Sequence, residues 1–111
     1  MRYRAYDVIL AGQVGLDAAI VHGYIDAEVK AKRMILRREE REKYLRRGRY
    51  WMISTPRQLE KELSFLSPHR VQKAIRLLLG QGLLMVETEE LIIAGCGRER
   101  CTWFTTQLRE E

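Results

Sequence analysis

The stretch STPRQLEKELSFLSPHRVQKAIRLLLGQGLLMVET, residues 54–88, carries two helix-start signals of the same kind. Thr55 offers an N-cap hydroxyl, Pro56 occupies the first helical position where no N–H is needed, and Gln58 completes a capping-box spacing. Ser67 and Pro68 repeat the hydroxyl-proline pair twelve residues later. The spacing predicts one helix from Thr55 to near Leu63, a turn over SFLS, and a second helix from Ser67 to Leu79 or Gly80. GQG then stops the second helix, and LLMVE begins a strand.

Placed on a wheel, the second helix divides in two. His69, Gln72, Lys73 and Arg76 fall on one side, with Val71, Ala74, Ile75, Leu78 and Leu79 opposite. Between Ser67 and Gly82 there is no Asp or Glu. A merely solvated face ordinarily mixes charge signs, so an acid-free row of hydrogen-bond donors fits a phosphate-lined partner. The plainer alternative is the solvated side of any amphipathic helix.

Upstream, Asp7 is placed to cap a short helical turn over Val8 to Gln13, and Gly15 breaks it. From Leu16 the chain is again helical in pattern: Ile20, Tyr24, Ala27, Ala31 and Met34 form one apolar stripe. This long first helix is expected to run through RMILRREEREKYLRRG to a stop at Gly48. Its stripe serves either as monomer core or as the contact of a homodimer. YWMIS, residues 50–54, reads as a short strand. After Glu87, apolar runs at Leu91 to Ala94 and Thr102 to Thr106 read as a hairpin with a long tip, and Leu108 to Glu111 as a frayed end.

The chain has 111 residues, 46% of them hydrophobic, which suits one compact α+β domain over residues 1–111: a long helix with basic extension (16–48), a helix-turn-helix (55–81) and a hairpin (83–106). Its net charge of +5 is unevenly spread. Ten basic and four acidic side chains lie between Glu28 and Arg49, whereas Leu83 to Glu111 holds three and six. Part of the central run forms i to i+4 pairs such as Arg38 with Glu42, and the surplus is expected to touch phosphates through Arg46, Arg47, Arg49 and Arg57. The apolar run from Val8 to Ile25 contains Gln13, Asp17 and three glycines, so neither a membrane span nor a signal peptide is expected, and the protein should be cytoplasmic.

Catalytic chemistry finds no foothold. No nucleophile, base and orienting group recur together and no Gly-rich phosphate loop exists, so neither enzyme activity nor a cofactor or small-molecule ligand is expected. Two cysteines with only His22 and His69 elsewhere do not make a metal-ligand set. Cys96 and Cys101 in CGRERC would face each other if residues 97–100 formed a hairpin tip. Reduced thiols are the first expectation inside a cell, and a disulfide stiffening the hairpin is the second. His22, Trp51 and Trp103 read as packing residues.

The order GLDAAIV, RYWMIST, FLSPHRVQKAIRLLLGQGLL and TWFT, spanning Leu16 to Thr106, resembles the winged-helix domains of phage and plasmid replication proteins and related mobile-element regulators. The resemblance implies a three-helix core with a short antiparallel sheet and a wing hairpin. It implies binding to double-stranded DNA by a transcriptional regulator or replication-associated factor of a virus or mobile element. By position it gives recognition-helix contacts to Ser67, His69, Arg70, Gln72, Lys73 and Arg76, and wing contacts to Arg98 and Arg100. A protein-interaction module of the same fold, facing an acidic partner, is the alternative.

Overall fold

The computed structural model describes residues 8–93 and 97–106. Helices α1 (Val8–Val14), α2 (Leu16–Arg33) and α3 (Arg38–Glu42) come first. Two short strands follow, β1 (Leu45–Arg46) and β2 (Arg49–Tyr50), and then β3 (Met52–Ser54). The chain continues through α4 (Pro56–Glu62), α5 (Pro68–Gly80), β4 (Met85–Ile93) and β5 (Gly97–Thr105). It is an α+β fold with two antiparallel sheets, a β1–β2 hairpin and a three-stranded sheet ordered β3–β5–β4.

Both expected caps are made. Thr55 Oγ1 accepts from the Gln58 N–H at 3.1 Å, and Ser67 Oγ accepts from the Arg70 N–H at 3.2 Å. The end of α5 is equally well defined: Leu83 N–H donates to the Leu78 carbonyl and Gly82 N–H to that of Leu79. This pair of bonds is a Schellman motif, with Gly82 at φ 71° in the left-handed position that a side chain disfavours. The turn thereby sends Leu84, which is buried, back into the core at the start of β4.

Sheet register sorts the side chains. Met52, Phe104 and Val86 form one row across β3, β5 and β4, and Ser54, Thr102 and Thr88 the row two residues along on the same face. Met52 and Phe104 join Ala18, Val21, Ile25 and Val29 of α2, Leu59 and Leu63 of α4, Leu66, and Val71, Ala74 and Leu78 of α5 in one core. The alternate row, Ile53, Trp103 and Glu87, lies on the other face, which the β1–β2 hairpin covers. Arg46 lies over the Trp103 ring at 4.6 Å from its centre, and Arg46 and Arg47 both pair with Glu87. Trp51, fully buried, donates its indole N–H to the Arg46 carbonyl at 3.0 Å.

Three expectations need correction. The long helix over 16–48 ends at Arg33: Val29 is its last buried residue, and Met34 and Leu36 beyond the end are exposed. Gly48 is therefore no helix stop; Arg47 (φ 52°) and Gly48 (φ 75°) form the two-residue turn of β1–β2, where both positions require positive φ. Of the stripe through Ile20, Tyr24, Ala27, Ala31 and Met34, only Tyr24 packs against the core. The helix buries Ala18, Val21, Ile25 and Val29, while Ala27, Ala31 and Met34 face solvent. The second hairpin, finally, is more regular than expected: nine paired positions join β4 and β5, so 97–100 is strand.

Leu78→Ala, which empties part of a fully enclosed site, is expected to cost about 2–5 kcal/mol. Gly82→Ala is expected to cost about 1–2 kcal/mol through its left-handed backbone alone. Urea unfolding of both variants checks the order of the two effects.

Candidate nucleic-acid interface

Burying Val71, Ala74 and Leu78 against α2 turns the opposite side of α5 outward, and His69, Gln72, Lys73 and Arg76 are all exposed there. Ile75 is half-buried as expected of the packed side, but Leu77 and Leu79 are about two-fifths exposed and flank the polar face. Ser67 caps the helix, so its first free N–H groups and positive dipole end lie beside His69.

Acids absent from α5 itself arrive from its neighbours. Asp17 in the first turn of α2 receives both Nε and Nη2 of Arg70, at 2.7 and 2.5 Å. Glu60 of α4 accepts from Gln72 Nε2 at 3.1 Å. Arg70 and Gln72 are thus held as tethers of α5 to α2 and α4. None of the side-chain hydrogen bonds or ion pairs among the described residues uses His69, Lys73 or Arg76. Sequence reading missed Asp17 and Glu60 because a wheel drawn for one helix contains no information about residues 53 and 12 positions away.

The remaining expected contacts divide by location. Arg57 is exposed on the first turn of α4, at the same helix pair as α5. Arg46, Arg47 and Arg49 belong to the β1–β2 hairpin, on the sheet face that carries Trp103 and Glu87. Helix α5 lies over the opposite face, where Val71 and Ile75 line a cavity together with Val86, Thr102 and Phe104. These three arginines and the α5 face therefore do not form one surface. The backbone of Arg98 and Arg100 lies in β5, registered with Ile92 and Glu90, but their side chains are outside the described part of the structure. Cys96 also lies outside the described residues, and Cys101 is a half-exposed free thiol registered with Glu89.

Among the described residues, no three His, Cys, Asp or Glu side chains gather as a metal site, and no helix is long and apolar enough to cross a membrane. An apolar cavity of about 300 Å³ opens between α4, α5 and the sheet, lined by Leu59, Val71, Ile75, Val86 and Phe104, with Glu60 and Gln72 at its edge.

The Arg70 hydrogen bond, outweighing a small desolvation cost and aided by the charges of Arg70 and Lys73, holds the Asp17 carboxyl below the ordinary value of 3.8. Burial pushes Asp26 upward, but hydrogen bonds from Lys30 and Thr106, with the charges of Lys30 and His22, bring it below 3.8 as well. Carboxyls depressed in this way add stability that is complete above about pH 4 and is lost as pH falls through their folded-state values. Asp17→Asn is expected to lower the urea midpoint at pH 7, with the gap from wild type closing toward pH 2. A gap independent of pH would show that the bridge contributes nothing through charge.

Comparison of the chain with protein-family models, curated proteins and solved structures found no match.

Proposed function

We propose that the protein is a winged-helix protein that binds double-stranded DNA, with α5 as recognition helix and the β4–β5 hairpin as wing. The observation that carries this reading is the outer face of α5: His69, Lys73 and Arg76 are exposed together, in no side-chain hydrogen bond or ion pair among the described residues, on a helix joined to α4 by a short turn. Such a face offers donors for base edges and cations for phosphates at a helix that a major groove admits. Beyond β3, residues 89–93 and 97–101 pair only with each other, a two-stranded arm of the kind a wing requires. The role as transcriptional regulator or replication-associated factor of a virus or mobile element rests on the resemblance of the segments quoted above.

Within this reading the contacts rank themselves. Lys73 and Arg76 take phosphates or bases, His69 and the Ser67 cap lie at the entering end, and Arg70 and Gln72 hold the helix at its angle through Asp17 and Glu60. Arg57 is placed for a flanking phosphate. Arg46 and Arg47, committed to Glu87 on the sheet face away from α5, contribute to the general positive field.

Fluorescence anisotropy of a mixed-sequence duplex tests the reading. Wild type is expected to bind with an affinity that falls log-linearly with salt, and Lys73→Ala with Arg76→Ala to weaken binding while lowering the salt slope by about two, one for each phosphate contact. Absence of binding by the folded wild type at low salt removes the DNA reading and leaves the acidic-protein module.

A further inference from the structure

The apolar cavity between α4, α5 and the sheet plays no part in the DNA reading. Its inner wall is built by the buried Leu59, Val71, Thr102 and Phe104, and its outer wall by the half-buried Ile75 and Val86. A volume of about 300 Å³ lies at the lower end of the range of small-molecule sites, and an enclosed apolar cavity of about half that size holds benzene. Thr102 stands apart from the other inner side chains. It is 7% exposed, and none of the side-chain hydrogen bonds among the described residues uses its hydroxyl. Ser54, in the same row of the sheet, donates instead to the Thr55 carbonyl at 3.1 Å. A buried hydroxyl without a partner is costly, and this one is a single polar point in a wall otherwise made of carbon. A water molecule needs about two to four polar partners, and the inner side chains offer it Thr102 alone.

We propose that this cavity binds a small neutral molecule with an aromatic body and one hydrogen-bonding group, the group seated on Thr102. Size excludes a docked element of another protein, since a helix with its side chains is about 10 Å across and does not enter a space of this volume. Charge is excluded by the lining. The inner wall holds no ionisable side chain, and Glu60 at the edge already accepts from Gln72 at 3.1 Å, so a charged ligand would lose its water without gaining a partner. The Phe104 ring favours an aromatic occupant through offset or edge-to-face contact, with aliphatic side chains around it.

No sequence motif announces such a site, because its walls are drawn from α4, α5, β4 and β5. Two of those walls are joined at the edge by the hydrogen bond from Gln72 to Glu60. Val71 and Ile75 belong to the helix that carries His69, Lys73 and Arg76, so the occupant sits directly behind the polar face of α5. The ligand site does not rest on the DNA reading and is tested without DNA.

Isothermal titration calorimetry of the full chain with two compounds of the same shape is the test: indole, and benzofuran, in which oxygen replaces the N–H. Indole is expected to bind at a single site with a Kd of about 0.1 mM or tighter, and benzofuran about tenfold more weakly, the effect of one hydrogen bond. Thr102→Val keeps the shape of the side chain and removes its hydroxyl. It is expected to bring indole down to the affinity of benzofuran and to leave benzofuran unchanged. Val86→Trp, which fills the cavity from its outer wall, is expected to abolish binding of both compounds, and circular dichroism verifies that each variant stays folded. A folded wild type that binds neither compound, an indole preference that survives Thr102→Val, or binding untouched by Val86→Trp overturns the proposal.

Discussion

Val71, Ala74 and Leu78 of α5 lie against α2, and this packing sets the angle at which every other side chain of α5 leaves the protein. A helix has one rotational degree of freedom about its own axis, and burying a stripe removes it. Its ends are no freer: the Ser67 cap fixes where α5 begins, and the Schellman turn at Gly82 fixes where it stops. The sheet then closes the core from below, with Met52 and Phe104 meeting the same helices. The exposure of His69, Lys73 and Arg76 is thus a geometric consequence of an apolar contact on the far side of the helix.

Local signals were legible in the sequence because the interactions behind them are local. A cap spans three residues, and Thr55 to Gln58 and Ser67 to Arg70 are found where hydroxyl and proline announce them. The polar face of α5 was legible for a related reason, since its apolar residues form one stripe only. In α2 two apolar stripes share nearly the same period, so periodicity alone could not choose between them. Size could have helped: the buried stripe has the β-branched Val21, Ile25 and Val29, whereas the exposed one has alanines at its centre.

Contacts made across long stretches of chain left no such trace. Asp17 and Arg70 are brought together only by the packing of α2 on α5, and Glu60 and Gln72 only by the turn between α4 and α5. The basic run from Lys30 to Arg49 looks uniform in sequence, yet the fold gives its parts different work. Arg38 pairs along α3 with Glu42, Arg41 donates to the Ile35 carbonyl, and Arg46 and Arg47 hold the β1–β2 hairpin to Glu87. Counting charges overstates what reaches the α5 surface, because Trp103 and Trp51 lie beneath two of these guanidinium groups.

Helix α3 buries none of its residues, although the chain on either side of it is firmly held. Val29 anchors the preceding helix in the core, and Trp51 anchors the hairpin that follows. Between these two moorings the segment is a closed excursion, and the entropy of closing such an excursion grows only slowly with its length. Residues 34–43 are consequently where the chain can gain or lose length without retuning the packing beneath α5. Divergence among proteins built on this plan should therefore concentrate in that segment, as a difference in size more than in shape.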